Sequence, residues 1–125
     1  MKILLDTHVI LWWLADDPLL SEPARIHIAN NENLVAVSSA TVWEVAIKSA
    51  IGKLDVDDTW LDAVAADGFQ QLPIHWAHAD RVRHLPPIHK DPFDRLLIAQ
   101  AIEERFVLLT ADSTIPKYPV DCVSV

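Results

Sequence analysis

Short apolar segments with the character of strands alternate with helix-like segments along the whole 125-residue chain. We predict strands at residues 2–5, 34–38, 69–74, 107–110 and 120–123, and helices at 7–15, 22–30, 40–50, 58–67, 75–85 and 91–105. The continuous apolar run at 34–38 is typical of a parallel strand that is buried on both faces. The alternation therefore predicts an α/β fold with a mostly parallel central sheet and helices on both faces.

Length, composition and charge limit the class of protein. The length is that of one domain, to which we assign residues 1–125. No apolar run approaches the roughly 18 residues of a membrane span, and the first run ends at once in Asp6, unlike a secretory signal. A single cysteine, Cys122, excludes an intramolecular disulfide, so we expect a reduced, cytoplasmic protein without a membrane segment. The net charge of −8 argues against a broad basic surface, but it allows a nucleic-acid substrate held by a metal ion and a local basic patch.

Four carboxylates stand at the borders of segments that otherwise read as buried core: Asp6, Glu44, Asp94 and Asp112. Carboxylates are rarely buried unless they are paired or bind a metal ion. In open α/β sheets the functional crevice lies beyond the carboxyl ends of the strands, and all four positions fall at that end of the predicted sheet. Such a set of hard oxygen ligands suits Mg²⁺ or Mn²⁺, whereas zinc prefers histidine or cysteine.

Each of these residues also has a structural explanation. The spacing from Asp91 through a proline to Asp94 is that of a helix N-cap with an acidic first turn, and we assign Asp91 to capping, with a supporting role at the site as the alternative. Glu44 and Lys48 form an i,i+4 pair of the common surface type. Asp112 is placed to begin a turn. Taken together, four matching placements favour one shared site.

Four blocks of the chain occur in an order that resembles a PIN-domain ribonuclease of the VapC type, the toxin half of a bacterial toxin–antitoxin pair. The blocks are Leu-Leu-Asp-Thr-His at 4–8, the segment 38–48 with Trp-Glu inside it, His-Lys-Asp-Pro-Phe-Asp-Arg followed by an apolar helix at 89–101, and Leu-Thr-Ala-Asp at 109–112. The resemblance covers the entire chain, and the Asp-Pro-Phe-Asp-Arg block is its most specific part.

The resemblance implies a metal-dependent endoribonuclease with a homodimeric assembly and a small cognate antitoxin that blocks the acidic pocket. One or two Mg²⁺ or Mn²⁺ ions would be held by Asp6, Glu44, Asp94 and Asp112. Thr7 and Thr110 match positions where the family often places a hydroxyl near the metal ion or its waters.

For the hydrolysis that the resemblance implies, the residues favour direct attack by metal-activated water, since no covalent nucleophile is arranged with a base. Phosphate positioning falls to Lys48, Lys90 or Arg95, each of which is otherwise an ordinary solvated charge.

Two alternative functions stay open. One is a non-catalytic binding module that keeps the fold as a partner surface, although such a module has no reason to retain all four carboxylates. The other is a phosphatase with an aspartyl nucleophile after the first strand. That chemistry usually needs a second aspartate two residues on, where this chain has His8.

The aromatic and histidine residues give weaker indications. We expect most of the tryptophans to lie in the core, with one of the adjacent Trp12 and Trp13 facing a partner. No His-Glu-x-x-His or Cys-x-x-Cys pattern is present, so we expect the histidines, including His89, to lie on helix surfaces rather than in a zinc site.

Overall fold

The computed structural model describes all residues 1–125 and is built around one five-stranded sheet of order β3-β2-β1-β4-β5. The strands are β1 Lys2–Leu5, β2 Leu34–Ser38, β3 Gln70–Leu72, β4 Val107–Thr110 and β5 Cys122–Ser124. Every neighbouring pair is parallel. The predicted parallel sheet is therefore confirmed. The third strand is shorter than predicted because Pro73 has no N–H group to donate to the ladder.

Six α-helices connect the strands: α1 Thr7–Ala15, α2 Glu22–Ala29, α3 Ser39–Ala50, α4 Trp60–Ala66, α5 Trp76–Arg81 and α6 Pro92–Glu104. Single 3₁₀ turns lie at Val82–His84 and Ile115–Lys117. The predicted helix at 75–85 thus ends as an α-helix at Arg81 and tightens into a 3₁₀ turn before Pro86. None of the helices is both long enough and apolar enough to cross a membrane.

The core has two halves, one on each face of the sheet. Alternate residues of a strand point to opposite faces, so Leu4 packs with α6 in one apolar cluster while Ile3 and Leu5 pack with α1 and α2 in the other. Leu97 and Ile98 of α6 are fully buried in the first cluster. Helices therefore cover both faces, as the sequence predicts.

The tryptophans lie mainly outside this core, so the expectation that most of them are core residues is wrong. Trp43 is 57% exposed and Trp76 is 95% exposed. Trp12, Trp13 and Trp60 are half-buried and pack on the edge of the cluster formed with α1 and α2. Aliphatic side chains from the strands already fill the centre of each half.

The strand order reverses at β1, which places the switch point of the sheet between β1 and β4. From β1 the chain moves outward through β2 and β3, and it then returns to the other side of β1 to form β4 and β5. The two central strands end together, because Leu5 pairs with Leu109 and the backbone N–H of Asp6 donates to the carbonyl oxygen of Leu109 at 3.0 Å. Asp6 is thereby fixed at the edge where α/β proteins bind ligands.

Candidate active site

The structure brings the sequence-predicted carboxylates to this edge of the sheet from four different elements. Asp6 follows β1 and caps α1, and Asp112 follows β4. Glu44 lies within α3, and Asp94 lies in the first turn of α6. All of α1, α3 and α6 begin at this edge, so their N-termini also point positive dipole ends towards the negative charge.

Asp6 and Glu44 form the buried side of the site and are only 4% and 3% exposed. Asp6 accepts a hydrogen bond from the backbone N–H of Thr7 and another from the hydroxyl of Thr110, both at 2.6 Å. The Thr7 hydroxyl donates to Glu44 Oε1 at 2.7 Å. Both threonines therefore orient carboxylates of the site.

Lys48 is the cation closest to this buried side. Its Nζ lies 2.5 Å from Glu44 Oε2, while the lysine side chain stays 38% exposed. The hydrogen bond to Glu44 raises the pKa of Lys48, and the charges of Asp91 and Asp94 act in the same direction. Lys48 thus remains charged and partly open to solvent beside the acidic cluster.

Asp94 and Asp112 form the more open side, where they meet His89. Nε2 of His89 donates to Asp112 Oδ2 at 3.1 Å and lies 2.9 Å from Asp94 Oδ2. One ligand atom from each of the three residues lies within 4.8 Å of the others. The expectation of a helix-surface histidine is therefore wrong for His89, which lies in the loop before α6. The sequence does contain one indication of this placement, because His89 stands in the same block as Asp91 and Asp94.

Asp91 and Asp112 also hold local structure, as their sequence positions predict. Asp91 Oδ1 accepts the backbone N–H groups of Phe93 and Asp94 at 2.8 and 3.2 Å and so caps α6. Asp112 Oδ1 accepts the N–H of Thr114 at 2.7 Å. Asp112 can hold this turn and also belong to the site, because its other carboxylate oxygen, Oδ2, faces His89.

Arg95 has a different environment from the one that the sequence suggested. Its guanidinium donates to the carbonyl oxygens of Pro86 at 2.8 Å and Val82 at 3.0 Å and to the hydroxyl of Tyr118 at 3.2 Å. These contacts tie the loop before α6 to the body of the protein. The structure therefore argues against phosphate positioning by Arg95, whose donors are used internally.

The electrostatics of the site show an excess of negative charge. Burial, together with the charges of Asp6 and Asp91, raises the pKa of Asp94 to about 7, although His89 opposes the shift. Burial also raises the pKa of Asp6, against the hydrogen bonds from Thr110 and Thr7. Burial alone would raise the pKa of Asp112 too, but the hydrogen bonds from Thr114 and His89 bring it below its ordinary value.

This donor set fits a divalent cation of the Mg²⁺ or Mn²⁺ class. The available ligands are mostly carboxylate oxygens, which hard cations prefer. Moreover, the raised pKa of Asp94 shows that the folded chain disfavours one more negative charge here. A bound cation would remove that penalty, and the surrounding hydroxyl and N–H donors already orient the carboxylates.

The chain is similar to known proteins over most of its length. A family model described as the PIN domain matches residues 3–120. Ribonuclease VapC22 of Mycobacterium tuberculosis is 34% identical over 118 residues, which cover 88% of this chain and 86% of the relative. Among solved structures, a chain in the crystal structure of VapBC2 from Rickettsia felis bound to a promoter DNA fragment superposes with a TM-score of 0.76 at 17% identity, covering 99% of this chain and 98% of that one. A chain of FitAcB from Neisseria gonorrhoeae gives a TM-score of 0.66 at 20% identity, with 98% and 96% covered.

The raised pKa of Asp94 predicts how stability depends on pH without metal. Between about pH 4, where an unfolded aspartate titrates, and about pH 7, the folded chain holds a proton on Asp94 that the unfolded chain has lost. The free energy of unfolding in chelator should therefore fall as pH rises through this interval. Chemical denaturation at pH 4 to 6 should show a flatter dependence for Asp94→Asn than for the wild type.

The exposed Asp58 provides a matched control, since Asp58→Asn should keep the wild-type slope. His89 adds a fall in stability of the same sign above about pH 6.5, because its pKa is also raised. The comparison is therefore made below that value. An Asp94→Asn slope equal to that of the wild type would contradict the electrostatic account of the site.

Proposed function

Because the chain belongs to the PIN domain family, we propose that it is a metal-dependent endoribonuclease and the toxin of a toxin–antitoxin pair, acting in the cytoplasm. The observation that carries this proposal is the convergence of carboxylates from four elements at the switch point of the sheet. The likeness to a ribonuclease over most of the chain supports RNA as the substrate.

We assign the metal ligands to the carboxylates of Asp6, Glu44, Asp94 and Asp112, which would hold one or two Mg²⁺ or Mn²⁺ ions. A cation bound there activates water and stabilises the negative charge that develops on the scissile phosphate and the leaving oxygen. Thr7 and Thr110 fix the orientations of Glu44 and Asp6. Carboxylates held in this way need little rearrangement when the substrate arrives.

Lys48 is the best-placed residue to bind the RNA backbone. Its ammonium group is charged, lies beside Glu44 and is partly open to solvent, so it can attract a phosphate towards the carboxylates. The exposed Lys90, which follows His89 in the loop before α6, is the second candidate for this role. Positive charge is thus local to the site, in a chain whose net charge is −8.

The arrangement argues against the phosphatase alternative. An aspartyl-nucleophile mechanism usually needs a second aspartate two residues after the first, and His8 occupies that position. The Asp6 carboxylate lies instead in an acidic cluster, where the charges of Asp6 and Glu44 and of Asp6 and Asp94 act on each other. Attack by water is therefore the mechanism that the geometry supports.

Cleavage assays with purified protein test the enzyme proposal. RNA should be cleaved in Mg²⁺ or Mn²⁺ and should stay intact in chelator, because the carboxylates alone supply no activated water. Glu44→Gln, Asp94→Asn and Asp112→Asn should each lower the rate by more than about 100-fold, the upper end of what changes around metal ligands usually cause.

Asp91→Asn and Asp58→Asn are the matched controls for removal of one negative charge. Asp91→Asn should be milder than Asp94→Asn, since asparagine caps a helix about as well as aspartate, and Asp58→Asn should be without effect. Equal cleavage in chelator would reject the metal mechanism. A folded protein that cuts no RNA under any condition would instead support the binding module.

A groove beside the site supports the antitoxin partner. The groove has a volume of about 590 Å³, lies between α1 and the segment 54–63, and begins at His8, close to the buried carboxylates. Its floor is apolar and includes Leu11, Leu54, Val56 and Trp60. The acidic side chains at its rim are Asp17, Asp55 and Asp57. We propose that a basic, amphipathic antitoxin segment binds there.

The antitoxin proposal is tested with the product of a small open reading frame adjacent to the gene. That protein should form a complex with the chain and inhibit RNA cleavage. Val56→Arg should weaken the complex by at least about 10-fold, by placing a charge in the apolar floor and repelling a basic partner. Ile26→Arg on α2, where the isoleucine is 61% exposed, is the control. If both variants bind the antitoxin with equal affinity, the antitoxin binds at a surface other than this groove.

An apolar stripe along α3 and its C-cap supports the proposed homodimer. Trp43 and Ile47 of α3 and the C-cap residue Ile51 recur at i, i+4 and i+8 and are 57%, 38% and 61% exposed. Ile47→Glu should therefore shift the protein from dimer to monomer in sedimentation velocity. Leu19→Glu, at a residue 64% exposed away from this helix, should leave the mass unchanged. A monomeric wild type would contradict the proposal.

A further inference from the structure

His89 is held in place by contacts that the proposed catalytic chemistry does not itself require. Its backbone N–H donates to the hydroxyl of Tyr118 at 2.6 Å, and Tyr118 is only 4% exposed. Arg95 donates to the same hydroxyl and to the carbonyl oxygen of Pro86, in the loop that carries His89. The loop backbone at His89 is therefore held in place before any ligand binds.

The hydrogen bonds of the ring define which nitrogen carries the proton. The backbone N–H of Asp91 donates to Nδ1 of His89 at 3.2 Å, so Nδ1 must present its lone pair. The proton then resides on Nε2, which faces the carboxylates. A nitrogen that carries a proton has no lone pair for a metal ion. His89 is thus arranged as a donor and not as a ligand.

The two carboxylates that Nε2 of His89 faces differ in the other hydrogen bonds that they accept. Asp112 is also fixed through its Oδ1 by the N–H of Thr114 at 2.7 Å. The carboxylate of Asp94, in contrast, has its only close polar contact with His89, at 2.9 Å. These carboxylates come from separate elements, α6 and the segment after β4, and both approach the same nitrogen. The N–H group at Nε2 donates to Asp112 and contacts Asp94, so it bridges the two carboxylates.

We infer that His89 is a positioning residue that holds Asp94 and Asp112 together in the arrangement needed to bind a divalent cation. This inference rests on the proposed metal-dependent function. It assigns a role to His89, which is not one of the four proposed metal ligands. Removal of the N–H group frees Asp94 to rotate away and loosens Asp112. The expected consequence is weaker cation binding by a protein that is otherwise folded.

The direct test is the dissociation constant of Mn²⁺ alone, measured by titration calorimetry on the full chain. His89→Phe keeps a planar ring but has no donor, and it should bind Mn²⁺ about 10- to 100-fold more weakly, as is usual when an outer partner of metal ligands is lost. His89→Gln restores an N–H donor and should recover part of the affinity. His84→Phe, at an exposed histidine of the preceding turn, should bind as the wild type does.

Folding is checked by circular dichroism in chelator, and His89→Ala replaces His89→Phe if the larger side chain prevents folding. Equal Mn²⁺ affinity in the wild type and in a folded variant without the donor would overturn the positioning role while leaving the proposed nuclease intact. A wild type that binds no Mn²⁺ would overturn the proposed function, and the role of His89 with it.

A second measurement separates positioning from direct ligation. Pulsed electron paramagnetic resonance of bound Mn²⁺ detects nitrogen atoms that coordinate the ion. The positioning role predicts no coordinated imidazole nitrogen in the wild type. A strong nitrogen coupling that disappears in His89→Gln would show that His89 is a ligand, and it would overturn the inference.

Discussion

The crowding of carboxylates at one edge of the sheet is the constraint on which the rest of the site depends. Asp6, Glu44, Asp94 and Asp112 approach one another where β1 and β4 end, and the pKa of Asp94 rises to about 7 because burial and neighbouring charges disfavour its ionised form. Such a cluster persists only when the surrounding fold fixes each member. The structure therefore carries a built-in unfavourable interaction that a divalent cation would relieve.

The fold meets this constraint with local hydrogen bonds around a rigid sheet. The parallel pairing of β1 with β4 fixes Asp6, whose carboxylate in turn accepts hydrogen bonds from Thr7 and Thr110. Across the sheet edge, Asp91 begins α6 and so sets the direction of Asp94. Secondary structure and site are thus held by the same residues, because helix caps and strand ends meet at this edge.

Sequence patterns predicted the features that depend on local chemistry. The apolar strands, the cap at Asp91 and the helix end before Gly52, which has a φ of 75°, follow from side-chain type and backbone freedom. The environments of His89 and Arg95 depend instead on Tyr118, a residue distant in sequence that contacts the loop before α6. No local pattern indicates such a contact. The exposure of Trp43 and Trp76 escaped prediction because aliphatic residues had already filled the core.

The most direct test of the shared acidic site is the thermal stability of Asp6→Asn in chelator and in millimolar Mg²⁺. Removal of one crowded charge should raise the melting temperature in chelator above that of the wild type. The same change should reduce the rise in melting temperature that Mg²⁺ causes, because a site that binds Mg²⁺ more weakly provides less stabilisation by mass action. If Asp6 only caps α1, asparagine should serve nearly as well and both temperatures should match those of the wild type. A wild type without any Mg²⁺-dependent shift, and with Asp6→Asn behaving identically, would contradict the account.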